Sequence, residues 1–222
     1  MTTIGILSEG RTDQVVIERI LKGFFDRDGR LEVNPIFPPE IVPAGEPEEG
    51  GWTVLKSRLM QGYHRQALAF NDYLVVHIDT DVCEEVGYEV SRRDPNTGAL
   101  LDPDALRQAT IERLIDWLGR DFYSRYGERI LFAVAVDGIE CWLLPLLEDK
   151  LAKQRKTTGC RDAADVALRR TGHPSLGAAD RLRHYARVAS PYLKRKTLLA
   201  KGRLNPSLSA FLADLEQCEI QL

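Results

Sequence analysis

The 222-residue chain has no run approaching the roughly 18 to 20 uncharged apolar residues of a membrane-spanning helix, and its opening, MTTIGILSEGRTDQ, meets charge too early for a secretory signal. These absences predict a cytoplasmic protein with no membrane partner. Cysteine is scarce: Cys83, Cys141, Cys160 and Cys218 lie far apart with no C-x-x-C pair, which speaks against a zinc knuckle or a disulfide framework and reads as four reduced thiols. There is no internal repeat. A composition of 44% hydrophobic and 28% charged residues excludes a disordered or fibrous chain, and the length suits one generous domain or a core domain with a helical appendage.

Charge is present in unequal shares. The net −3 conceals a basic segment, 150–203, that holds 15 of the 30 Lys and Arg residues against Asp162, Asp165 and Asp180, so that it is +12 and the remainder −15. An acidic body joined to a basic region suits carboxylates that bind metal beside cations that bind phosphates. Basic helix faces that neutralise an acidic body by packing or dimerising produce the same pattern.

Apolar runs then set the order of elements. Thr3–Leu7 reads as a strand, breaks at Ser8-Glu9-Gly10 and gives way to the helical spacing of Val15, Val16, Ile20, Leu21 and Phe24. Leu31–Phe37 reads as a second strand, Pro38–Gly51 as a loop and Thr53–Asn71 as a helix. Tyr73–Ile78 is a continuous apolar run, the mark of a strand covered on both faces, and it stops at Asp79-Thr80-Asp81. A polar excursion over 84–104, a helix from Pro103 to Tyr126, a fourth strand over Arg129–Val136 and a helix from Trp142 to Leu151 follow. Beyond these only helices are legible, over Arg161–Arg170, Ala178–Ala189, Pro191–Lys201 and from Pro206, with Asn205 as its N-cap.

Strands alternating with helices predict a mostly parallel α/β sheet covered on both faces, whose sites form beyond the C-terminal strand ends near a switch in strand order. Acids fall there three times: Glu9, the Asp79/Asp81 pair, and Asp137 with Glu140. Residues two apart on a strand face the same way, which would set Asp79 and Asp81 roughly 6 to 7 Å apart at the backbone. Close carboxylates repel, and a hard cation such as Mg²⁺, with Mn²⁺ as the alternative, relieves that repulsion while keeping sites for a phosphate. Asp13, in the first helical turn, extends the same negative wall. Taken singly, each acid also fits a turn or helix-cap role, and His77 reads as a buried structural residue.

The segments Ser8-Glu9-Gly10-Arg11-Thr12-Asp13 and Ile78-Asp79-Thr80-Asp81 resemble the Toprim fold of topoisomerases, DnaG-type primases, RecR-like proteins and OLD-family nucleases. Ile139-Glu140-Cys141-Trp142-Leu143-Leu144 and Asn205-Pro206-Ser207-Leu208-Ser209-Ala210-Phe211-Leu212 are similar to small stand-alone OLD-like Toprim proteins of bacteria. The resemblance spans residues 3–149 and reaches the tail only through the last motif. It implies a Toprim-like Rossmannoid parallel sheet flanked by helices over 1–150, with a basic helical extension, 151–222, packed on it. It further implies that Asp79 and Asp81 bind Mg²⁺, that Glu9 is a metal ligand or acid/base residue, and that Glu140 is a candidate ligand for a second metal.

The activity so implied is metal-dependent cleavage or transfer at phosphodiester bonds of nucleic acid, DNA ahead of RNA, in phage defence or DNA repair, with a separate ATPase as a partner and a homodimer left open. Lys194, Arg195, Lys196, Lys201 and Arg203 are candidate phosphate contacts by charge and position alone. Two other readings stand beside it. One is a non-catalytic adaptor on the same fold, and the other is a small-substrate enzyme, either a D-x-D glycosyltransferase or an aspartyl phosphatase. The basic tail suits a polyanion better than a small sugar donor.

Overall fold

The structure is a computed structural model that describes residues 1–25, 29–39, 50–177, 179–218 and 220. Strand β1 (Thr2–Leu7) leads into helix α1 (Arg11–Phe25), strand β2 (Leu31–Phe37), helices α2 (Trp52–Met60) and α3 (Tyr63–Phe70) and strand β3 (Tyr73–Asp79). Helices α4 (Pro103–Leu118) and α5 (Arg120–Tyr126) precede strand β4 (Ile130–Ala135). The rest is helical: α6 (Glu140–Leu147), α7 (Leu151–Gln154), α8 (Cys160–Arg170), α9 (Arg181–Ala189), α10 (Arg195–Gly202) and α11 (Pro206–Gln217). Of the loop expected over Pro38–Gly51, residues 40–49 lie outside the described residues, as does the expected helix start at Ala178.

The four strands form one parallel sheet in the order β2-β1-β3-β4. The chain leaves β1 toward β2 on one side and returns to β3 on the other, so the order switches between β1 and β3. That switch opens a crevice at their C-terminal ends, where parallel sheets hold their sites.

Alternation along the strands separates two apolar layers. Ile4, Ile6, Val75, Leu131 and Ala133 face one cluster, built with α1, α6 and the C-terminal helices. Leu7, Leu74, Val76, Ile78, Phe132 and Val134 face the other, built with α2 to α5. Tyr185, Tyr192, Leu198, Phe211 and Leu215 belong to the first cluster, so the C-terminal helices form one of the two layers covering the sheet. Their contact with α1 is close: a β-carbon at Gly23 would stand 1.8 Å from the carbonyl oxygen of Tyr192.

Three helices expected to be continuous are broken. The Thr53–Asn71 helix divides at Gly62 (φ 82°) and the Pro103–Tyr126 helix at Gly119 (φ 90°), since a left-handed backbone that glycine tolerates cannot continue an α-helix. The Pro191–Lys201 helix is a 3₁₀ turn over Ser190–Leu193 and then α10, separated by extended Lys194. The last helix starts as expected, with Pro206 in its first turn and the Asn205 side chain accepting from the Leu208 N–H at 3.2 Å.

Candidate functional site

Three strand ends supply the acids. After β1, Glu9 reaches across the crevice, and its Oε1 accepts the Asp79 backbone N–H at 2.7 Å. This bond fixes the Glu9 carboxylate against the end of β3. Asp13, buried in the first turn of α1, accepts the Gly10 N–H at 2.8 Å and so caps its own helix.

The parity that turns Val75 toward α1 also turns His77 and Asp79 that way. His77 is fully buried between two acids, with Nδ1 3.8 Å from Asp13 and Nε2 3.3 Å from Asp79 Oδ1. Both ring nitrogens and Asp79 Oδ1 are buried without a hydrogen-bond partner. The strand ends at Asp79, earlier than a shared-face pairing with Asp81 requires. Thr80 turns the chain by donating its N–H to the carbonyls of Ala135 and Asp137, and Asp81 is left exposed at the start of the following turns.

After β4, the Asp137 N–H is held by the Thr80 hydroxyl at 2.9 Å, and Glu140 opens α6. A β-carbon on Gly138 would stand 3.0 Å from Glu140 Oε2 and 3.4 Å from Asp79 Oδ2, so the absence of a side chain keeps open the space that both carboxylates face. The other oxygen of Glu140 accepts from the Tyr185 hydroxyl and lies 3.4 Å from Arg161 Nη1.

Burial and mutual repulsion act together on these acids. Glu9 is pushed up to about 9, first by burial and then by the charge of Asp79, while the Asp79 N–H acts the other way. Asp79 is raised well above the ordinary carboxylate value by burial and by Asp13, Glu140 and Asp81. Burial also raises Asp13, which His77 partly offsets; Asp81, exposed overall, is raised by the partial desolvation of its carboxylate and by Asp137 and Glu140, with Arg92 pulling the other way. Burial drives His77 downward and keeps its imidazole neutral, against the pull of Asp13 and Glu140.

Oxygen donors that repel one another, an orphaned buried carboxylate oxygen and a gap held open by glycine together suit a hard divalent cation. Glu9, Asp79, Asp81 and Glu140 are the residues that could hold it, whereas Asp13 is committed to its helix cap and His77. Beside Glu9 runs a cleft of about 640 Å³ lined in part by Gly10, Arg11, Thr12, Gly51 and Arg181.

The basic candidates lie elsewhere. Arg195 stacks on Phe24, with its guanidinium carbon 4.3 Å from the ring centre, and donates to the Phe24 carbonyl. Phe24 is 11 residues along α1 from Asp13, about 16 Å at 1.5 Å per residue. Lys194 and Lys196 flank Arg195 on exposed positions, Lys201 lies in the last turn of α10, and Arg203 pairs with Glu216 at 2.7 Å.

Besides Arg11 and Arg181 in the cleft beside Glu9, two cations lie against the site: Arg92, which donates to the Thr80 carbonyl, and Arg161, beside Glu140. Sequence spacing signalled neither, nor Tyr88, whose hydroxyl donates to the Asp79 carbonyl at 2.8 Å and anchors the 84–104 excursion beneath the site.

The expectation of four reduced thiols fails for two of them. Cys141 and Cys160 form a disulfide that links the first turns of α6 and α8, while Cys83 and Cys218 are free. Nineteen residues separate the pair, so only the folding of α8 against α6 brings it together. Among the described residues, the one group of three ligand-type side chains with donor atoms within 4.8 Å of one another is Asp137, Cys141 and Cys160, and the acids described above are more widely spread.

Among the described residues no helix is long and apolar enough to cross a membrane. No protein-family model, curated protein or solved structure matches the chain.

Proposed function

We propose that the chain is a Toprim-type enzyme that uses Mg²⁺, or Mn²⁺ in its place, to break or transfer phosphodiester bonds of nucleic acid, DNA ahead of RNA. The observation that carries this reading is the meeting of acids from three parallel strand ends. Glu9 is bonded to the backbone of Asp79, and Asp79 faces Glu140 across Gly138. In this reading Asp79, Asp81 and Glu140 hold the cation, which when bound neutralises phosphate charge and activates water.

Glu9, which its burial keeps protonated while no metal is bound, would give up that proton in the field of a bound cation and serve as a further ligand or as the base for the attacking water. Arg92 and Arg161 are the nearby cations available to an incoming phosphate. Of the basic-tail residues, Lys194, Lys196 and Lys201 would extend contact along the polyanion, whereas Arg195 and Arg203 are engaged by Phe24 and Glu216. The resemblance supplies the setting: a cytoplasmic protein acting in phage defence or DNA repair beside a separate ATPase.

A non-catalytic nucleic-acid-binding role is favoured by one observation, the engagement of Glu140 by Tyr185 and Arg161 in place of a cation. Calorimetric titration with Mg²⁺ and Mn²⁺ separates the two. Saturable binding that is lost in Asp79→Asn supports the enzyme, and an absence of binding at millimolar cation supports the adaptor.

A further inference from the structure

Asp137, Cys141 and Cys160 form a compact group one residue away from Glu140 and Arg161, and the proposed phosphodiester chemistry uses none of the three. Asp137 Oδ2 lies 3.9 Å from Cys141 Sγ and 3.4 Å from the Cys160 backbone nitrogen. The Lys156 carbonyl oxygen lies 3.5 Å from Cys160 Sγ and is fixed from behind by the Asn205 amide at 3.2 Å. The two sulfurs and a carboxylate oxygen of Asp137 lie within 4.8 Å of one another, and the Lys156 carbonyl adjoins the Cys160 sulfur.

In a tetrahedral zinc site with Zn–S of about 2.3 Å and Zn–O of about 2.0–2.2 Å, a sulfur and an oxygen ligand stand about 3.5 Å apart and two sulfurs about 3.8 Å apart. The Lys156 carbonyl already stands at that distance from Cys160 Sγ, and Asp137 Oδ2 is about 0.4 Å beyond it from Cys141 Sγ. Both sulfurs are buried, whereas Asp137 is partly open to solvent and provides the entry path.

We propose that Cys141 and Cys160, once reduced, form with Asp137 and the Lys156 carbonyl a Zn²⁺ site that the disulfide closes. Reduction by a dithiol transfers two electrons and two protons to the sulfurs, giving two thiols and the oxidised dithiol. Binding of Zn²⁺ then releases both thiol protons. The sulfur ligands distinguish this site from the carboxylate group around Asp79, which offers oxygen only, so it stands whether or not that group binds Mg²⁺.

The test uses the full chain, reduced with a trialkylphosphine, which takes its oxygen from water, and then stripped of metal and reductant. Co²⁺ is added while sulfur-to-metal charge transfer is followed by absorption, and Zn²⁺ is then used to displace it against a chromophoric chelator. The expected result is a thiolate band that saturates at one Co²⁺ per reduced chain, no thiolate band in the oxidised chain whatever Co²⁺ its carboxylates hold, and no band in Cys160→Ser. Asp137→Asn should weaken binding by at least about tenfold. Cys218→Ser, which alters the free partly exposed thiol, should leave the band intact and so controls for general damage. A reduced, folded chain with four titratable thiols and no thiolate band would overturn the proposal, as would a band that survives Cys160→Ser.

Discussion

Replacing Glu9 by Gln keeps the oxygen that accepts the Asp79 N–H and removes the ionisable group. Glu9 titrates near 4.5 in an unfolded chain and at about 9 in the fold, so between these values the native state holds a proton that the unfolded state has released. The associated stability is intact below pH 4.5, falls as pH rises and is fully lost by about pH 9. Two and a half pH units at about 1.4 kcal/mol each place the cost at pH 7 at about 3.5 kcal/mol.

Glu9→Gln should therefore be more stable than the parent by about 3.5 kcal/mol at pH 7 without metal, a rise of about 7–14 °C in Tm for a chain of this size, and equally stable near pH 4.5. Mg²⁺ should flatten the parent's decline, because a bound cation favours the ionised carboxylate. Urea unfolding at several pH values, with and without Mg²⁺, measures both effects. Parallel stability curves for the two proteins from pH 5 to 9 would refute the reasoning.

Gly138→Ala places a methyl group 3.0 Å from Glu140 Oε2 and 3.4 Å from Asp79 Oδ2, and should lower Mg²⁺ affinity by at least about tenfold with the far-ultraviolet dichroism unchanged, as calorimetry and dichroism would show. Ser207→Ala removes the acceptor of the Val136 N–H at 3.2 Å and the Trp142 Nε1–H at 2.9 Å. Two buried donors left unpaired should cost about 2–4 kcal/mol in urea unfolding. Arg195→Ala loses both its stacking on Phe24 and its bond to the Phe24 carbonyl, and should lower stability by about 1–2 kcal/mol with no nucleic acid present, readable as a fall in Tm.

The parallel sheet was legible because two of its strands, the central β3 and the edge strand β4, are covered on both faces and written as unbroken apolar runs, Tyr73–Ile78 and Ile130–Val136. Their abrupt ends in Asp79 and Asp137 marked the site for the same reason. Helix breaks were less legible, because Gly62 and Gly119 interrupt patterns whose apolar spacing continues past them. The partners of the acids were hidden for a different reason. Tyr185, Arg161 and Arg92 come from distant or irregular segments, and nothing in their local spacing says which carboxylate they meet. The Cys141–Cys160 bond was equally invisible, since it depends on the packing of α8 against α6. Charge alone selected Arg195, but a guanidinium can be retained for a ring and a carbonyl as readily as for a phosphate.

Incubation of the purified protein with plasmid and single-stranded DNA, in Mg²⁺, Mn²⁺ or EDTA and beside an Asp79→Asn variant, tests the central claim most directly. Cleavage should require the cation and disappear in the variant. Cleavage that persists in EDTA or in Asp79→Asn would contradict it, as would intact DNA under every condition with a folded, metal-bound protein.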